Sequence, residues 1–172
     1  MIRRFKTYNL SMSIFTKTTP SREARTTDTK KVIYAYVLIL VVFVLCQLFT
    51  FDDFLRLLES FWLPGGIPTA HILGSFLIVC ELFALPFLLR MNLSHSIRVV
   101  SMVLSWLVPA IWLFLTLWIN LTVNAISNVG FLGTFAKIMP GWWAVYLSIA
   151  LGLLAIWCSW GLWPFVIHRT KK

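Results

Sequence analysis

Residues 32–51 read VIYAYVLILVVFVLCQLFTF, an apolar run without a single charged side chain. A helix rises 1.5 Å per residue, so about 20 residues match the roughly 30 Å hydrocarbon core of a bilayer. The polar and basic residues 1–31 precede the run, and it is longer than the apolar region of about 7–15 residues in a signal peptide. The run therefore predicts a membrane-spanning helix.

Three further apolar runs follow at about 69–89, 99–121 and 142–167. Inside a bilayer each backbone group must be bonded within the protein, so runs of this length favour helices that cross the membrane. Pro86 and Pro109 predict kinks, because a proline frees a carbonyl that neighbouring helices must satisfy. We predict an all-α membrane protein whose domain, residues 32–168, is a bundle of four transmembrane helices in contact with membrane lipid.

The composition supports this fold class. Hydrophobic residues make up 59% of the chain and charged residues 12%, about half of the roughly 25% found in soluble domains. The net charge is +9, but 8 of the 15 Lys and Arg residues lie in the first 31 positions. A site for nucleic acid would collect these charges on one folded surface with aromatic residues between them. We therefore predict no nucleic-acid partner.

The distribution of basic residues predicts the topology. The N-terminal segment, the loop 90–98 and the C-terminus are basic, whereas the other two loops hold only Arg56 and Lys137. By the positive-inside rule, both termini are expected in the cytoplasm. Residues 1–31 are predicted to be a mostly disordered basic tail, and residues 169–172 a short basic tail.

The segment after the first span predicts a short amphipathic helix in the outer membrane interface. Its apolar side chains follow helical spacing, with Asp53, Arg56 and Glu59 between them: Phe54, Leu57, Leu58, Phe61 and Trp62. The loop before the fourth span is expected to lie along the membrane surface.

Glu81 is the one acidic residue deep inside a span, about 12 residues or roughly 18 Å from the outer end of its predicted helix. Its carboxyl group should be either protonated or paired within the bundle, because an isolated charge in hydrocarbon costs several kcal/mol. Ser105 of the third span lies at comparable depth, with Ser101 on the same stripe, and both are possible polar partners. Two interpretations stay open: a neutral Glu81 that fixes helix packing, and a proton relay or polar site for a quinone or lipid headgroup.

No metal site or complete catalytic motif is predicted. The three cysteines lie in separate spans without CxxC spacing, which argues against a dithiol or zinc motif: Cys46, Cys80 and Cys158. His71 lies apart from His95 and His168, although it could meet Asp52, Asp53 and Glu59 on the outer face. The sequence has no GxSxG, HExxH or Walker motif, so an enzyme is disfavoured. The small residues Gly152, Ala155 and Ser159 favour close helix packing within the bundle over a dimer interface.

Two stretches carry a resemblance to a known family: FDDFLRLLESFWLP at 51–64, and GSFLIVCELFALPFLLR at 74–90 with its glutamate, Glu81. Together they resemble the DoxX/MauE-like family of small four-helix membrane proteins. The resemblance implies a bundle in the bacterial cytoplasmic (inner) membrane and a role as an accessory protein, in some members linked to periplasmic redox enzymes or oxidative-stress complexes. The missing cysteine pair separates the chain from four-helix oxidoreductases of the vitamin K epoxide reductase type.

The expected function is that of an accessory or assembly protein that holds a membrane or periplasmic protein partner. The alternative is a redox or proton-handling protein that binds a quinone- or lipid-like ligand near Glu81. No cofactor is predicted under the first function, and a quinone under the second. A channel or transporter is disfavoured because its pore needs more polar lining than these spans supply. The oligomeric state stays open.

Overall fold

A computed structural model describes residues 26–122 and 126–162. Five helices account for most of them, and these residues form no strand: α1 (Thr27–Phe49), α2 (Phe51–Glu59), α3 (Gly66–Leu88), α4 (His95–Thr122) and α5 (Trp142–Gly161). All but α2 are long and apolar enough to span a membrane. The predicted four-helix membrane bundle, with a short helix after the first span, is confirmed. The predicted tails lie largely outside the described residues.

The four long helices form a closed ring. α1 and α4 each pack against both α3 and α5. Large apolar side chains cover the outside of the ring, for example Leu38 of α1, Phe83 of α3 and Leu153 of α5. Soluble proteins seldom expose so much contiguous apolar surface, whereas hydrocarbon solvates it. The exterior of the bundle is therefore suited to lipid.

Three of the four spans begin three to five residues before the predicted apolar runs, whereas α5 begins at Trp142 as predicted. α1 starts five residues before position 32 because Thr26 caps it, accepting a hydrogen bond from the Thr29 N–H at 3.2 Å. Asp28 in the first turn is favoured by the positive end of the helix dipole. The predicted end of the fourth span, beyond residue 162, lies outside the described residues.

Each internal proline is compensated by a side chain from another helix. Pro109 has no N–H to donate to the carbonyl of Ser105, and the Tyr36 hydroxyl of α1 donates to that carbonyl instead, at 2.9 Å. Next to Pro86, the Ser101 hydroxyl accepts from the Phe87 N–H at 3.0 Å and donates to the Phe83 carbonyl at 2.6 Å. A regular helix would join those two backbone groups directly.

The short helix α2 packs on the bundle itself. Phe54 and Leu58 on its apolar face and Phe61 just after it have no exposed surface. Gly74 of α3 allows this close approach: a Cβ there would lie 2.6 Å from Leu58 Cδ1 and 2.8 Å from Leu55 Cδ2. The apolar face that the sequence suggested for the interface thus packs against protein and covers one end of the ring, called the α2 end below.

Candidate functional site

Glu81 lies in the interior of the bundle, where three helices meet. Its side chain has no exposed surface. Its Oε1 accepts hydrogen bonds from Trp112 Nε1 of α4 at 3.0 Å and from Gln47 Nε2 of α1 at 3.4 Å. Both donors are uncharged, so the described hydrogen bonds to this carboxyl group come from an indole and an amide rather than from a cation.

Gln47 connects Glu81 to the loop before α5. Its Nε2 also donates to the carbonyl of Phe131 at 3.2 Å, and its side chain is fully buried. Glu81, Gln47, Trp112 and Phe131 form a continuous group, called the Glu81 cluster below. Gln47 was not predicted as part of the site, although it is the one amide side chain in the first apolar run.

Phe131 closes the Glu81 cluster on the side of the α2 end. Its ring centroid lies 4.5 Å from that of Trp112 and 5.7 Å from that of Phe43, and Phe43 meets Trp112 edge-on at 6.3 Å. Trp112 is ten residues, or about 15 Å of helix, before the end of α4 at Thr122. Phe131 and its neighbours thus dip into the bundle, where the sequence placed the loop along the membrane surface, whereas Phe135 and Met139 stay exposed.

Asn128 holds this inserted loop in shape. Its Oδ1 accepts from the N–H groups of Gly130 and Ile138, each at 3.1 Å, and its Nδ2 donates to the Gly133 carbonyl at 3.0 Å. Irregular backbone at membrane depth is tolerated only where protein or water surrounds it. The amide of Asn128 satisfies these groups inside the protein, and Phe131 is thereby presented to Trp112.

Two oxygens of the Glu81 cluster have no partner. Glu81 Oε2 and Gln47 Oε1 are both buried and accept no hydrogen bond from the residues that the structure describes. A polar group without a partner in an apolar interior costs from about 1 to several kcal/mol. These two oxygens are therefore the atoms of the site whose burial the described hydrogen bonds do not compensate.

The two serines suggested as partners of Glu81 bond elsewhere. Ser105 Oγ donates to the Met102 carbonyl of its own helix at 2.7 Å, and Ser101 serves the irregular turn at Pro86. Ser101, Ser105 and Trp112 lie on one face of α4, at spacings of 4 and 7 residues, so the sequence indicated the correct face. The depth of α4 relative to α3 is set by packing and could not be read from the apolar runs. Trp112, eleven positions after Ser101, is the residue of α4 that reaches the carboxyl group.

Of the outer acidic residues, Glu59 pairs with His71. His71 Nε2 lies 2.5 Å from Glu59 Oε1, whereas Asp52 and Asp53 are exposed at the start of α2. No group of three potential metal ligands is present within 26–122 and 126–162. Cys46, Cys80 and Cys158 are free thiols.

A groove of about 830 Å³ opens on the outside of the bundle between α4 and α5. Ala155 and Ser159 are buried between the helices, while Gly152 is partly exposed and lies in the groove. The Trp106 indole N–H donates to Ser159 Oγ at 2.6 Å near one end. Apolar and small side chains make up most of the lining: Trp106, Pro109, Ala110, Leu113, Ser148, Ile149, Gly152, Leu153, Ile156, Ser159 and Trp160.

Comparison of the chain with protein-family models, with curated proteins and with solved structures found no match. The resemblance to the DoxX/MauE-like family stays a prediction from the two sequence stretches.

Proposed function

We propose that the chain is a non-enzymatic accessory or assembly protein of the DoxX/MauE-like type, which holds a protein partner in a complex of the bacterial cytoplasmic membrane. The observation that carries this proposal is the groove between α4 and α5, which faces the surrounding hydrocarbon. The occupant that fits it best is a transmembrane helix of the partner.

The interior polar groups support the same function, because many of them hold the bundle together. Tyr36 and Ser101 satisfy backbone groups at the two prolines, and Trp118 Nε1 donates to the Phe61 carbonyl at 3.0 Å. The Thr116 and Ser148 hydroxyls, 3.4 Å apart, link α4 to α5. Because these side chains are bonded within the bundle, a partner protein would bind to the surface of the bundle.

The dimensions and lining of the groove favour a helix as its occupant. From Ser148 to Trp160 it follows α5 for 12 residues, or about 18 Å. Each wall carries a small residue, Ala110 on α4 and Gly152 on α5. Helices in membranes associate through small residues of this kind, because these let two backbones approach closely.

Site-specific photo-crosslinking in native membranes tests the proposal. A photoreactive amino acid at Leu153, in the groove, should give one adduct with a membrane protein. The same substitution at Leu38 on α1 is the matched control, since the two leucines are 63% and 64% exposed. An identical adduct pattern at both positions, or no protein adduct at Leu153, contradicts a partner in the groove.

A substitution that fills the groove tests the same proposal in a second way. Gly152→Leu places a large side chain where a Cβ meets only Pro109 Cβ at 3.9 Å, so the fold should tolerate it. We expect loss of the Leu153 adduct and of the partner in purifications from mild detergent. Ala35→Leu, on the exposed surface of α1, is the control and should leave both unchanged.

The alternative function, binding of a quinone- or lipid-like ligand near Glu81, is favoured by one observation. The unpartnered Glu81 Oε2 and Gln47 Oε1 could accept hydrogen bonds from a ligand. Such a ligand would require Phe131 to move, because that ring covers the cluster. Solvent extraction of the purified protein should then yield a quinone at about one per chain, and Glu81→Gln should abolish function; full complementation by Glu81→Gln counts against this alternative.

A further inference from the structure

The two buried oxygens without a partner belong to Gln47 and Glu81, whose side chains are already joined by one hydrogen bond. Gln47 Nε2 donates to Glu81 Oε1, which leaves Gln47 Oε1 and Glu81 Oε2 as the remaining polar atoms of the two groups. Both are acceptors as long as the carboxyl group is ionised. Neither atom can therefore satisfy the other in that state.

The orientation of the Gln47 amide is fixed by its neighbours. Nε2 bonds to two oxygens, Glu81 Oε1 and the Phe131 carbonyl, and a flipped amide would direct its oxygen at both of these acceptors. The missing hydrogen must accordingly come from Glu81 or from an added molecule.

The groups around Glu81 supply no positive charge to stabilise an ionised form. From α4 and the inserted loop, the neighbours are the neutral Trp112 and Phe131. The titratable groups that interact with Glu81 are the Tyr36 phenol of α1 and the Cys80 thiol of α3. Side chains of these two types are ordinarily neutral near pH 7, and any charge on them would be negative.

We propose that Glu81 and Gln47 form a proton-binding site, in which Glu81 carries a proton on Oε2 and donates it to Gln47 Oε1. A single proton then satisfies both orphaned oxygens and closes a reciprocal acid–amide pair. The terminal torsions of Glu and Gln have broad minima, so the two end groups can rotate to align the second hydrogen bond.

The acid–amide pair also explains why an acid can stand at this depth. A neutral carboxylic acid avoids the cost of a buried charge, and its hydroxyl acts as a donor. Phe131 and Phe43 pack against Trp112, whose indole N–H donates to the same carboxyl group, so aromatic rings surround this side of the pair.

Infrared spectroscopy of the full chain in an ester-free detergent tests the inference. The carbonyl stretch of a protonated carboxyl group lies at higher frequency than the bands of carboxylates and amides. The chain has six acidic residues, and Asp52 and Asp53 are representative exposed ones. At pH 7 we expect one carboxylic-acid band in the wild type, lost in E81Q and retained in the matched control D53N.

A second variant tests the role of Gln47. In Q47L the acid loses its acceptor, so the band should persist and move to higher frequency. The absence of a carboxylic-acid band from the wild type at pH 7 overturns the proposal even if a variant folds poorly, and a wild-type band that E81Q loses supports it. A band that is unchanged in a folded E81Q variant likewise overturns it.

Discussion

At the scale of single residues, the interior of this bundle is organised by a few polar side chains with defined partners. Trp112 and Gln47 both donate to Glu81, and Gln47 joins the cluster to the inserted loop. In hydrocarbon such bonds are worth more than apolar contact, because lipid offers the separated groups no replacement. The cluster is therefore expected to contribute to stability.

Glu81→Leu should destabilise the fold, because it leaves the Trp112 indole and one Gln47 amide hydrogen without an acceptor. The expected loss is about 1–3 kcal/mol for each stranded group. Glu81→Gln should stay close to the wild type, since its amide supplies both an acceptor and a donor. Thermal unfolding followed by circular dichroism in detergent measures the difference, and equal melting temperatures for the two variants would count against a structural role of the cluster.

At the scale of elements, the two helices with internal prolines depend on side chains of their neighbours. Tyr36 serves the carbonyl freed by Pro109, and Ser101 bridges the irregular turn at Pro86. The helices are thereby joined at the points where their own hydrogen bonding is interrupted. The sequence predicted the kinks from the prolines, but it did not identify the residues that compensate them.

Tyr36→Phe should cost about 0.5–1.5 kcal/mol, because it removes only the hydroxyl that bonds to the Ser105 carbonyl. Tyr34→Phe is the matched control: Tyr34 is on the same helix but 64% exposed. The melting temperature of Y36F should fall while that of Y34F stays at the wild-type value. A similar shift in both variants would refute this role of Tyr36.

The inserted loop depends on Gly133, which has a φ of 57° and packs against the end of α1. A Cβ at this position would collide with Thr50 Oγ1 and lie 3.2 Å from the Cys46 carbonyl. Gly133→Ala should therefore displace the loop and lower the melting temperature by more than Gly66→Ala. Gly66 has a comparable φ of 70° but open space around it, so it controls for backbone strain alone.

At the scale of the whole molecule, the sequence predicted the four spans because the thickness of hydrocarbon sets their length. Gln47 and Phe131 could not be predicted as neighbours of Glu81, since their contact depends on the register between α1 and α3 and on the path of a loop. Ser105 was expected beside Glu81 from its depth and its helix face, but Trp112, seven residues further along the same face, is the residue that reaches the carboxyl group. Apolar runs specify the length of each span and leave the relative depth of two spans open.

The topology of the chain in the membrane is predicted from its loops and their charges. The ring of four helices places the loop 89–94 at one end, and α2 and residues 126–141 at the other. The charge distribution predicts that the first end and both termini face the cytoplasm. Because each span crosses the membrane once, the side on which one loop lies fixes the side of every other loop.

The most direct test of this account is the location of reporters fused to the chain in its native membrane. Fluorescent reporters at both termini and at residue 93 should be active in the cytoplasm, and alkaline phosphatase should be active after fusion within residues 126–141. Termini on opposite sides of the membrane, or a chain that stays in the supernatant without detergent after ultracentrifugation, would contradict a bundle of four membrane-spanning helices.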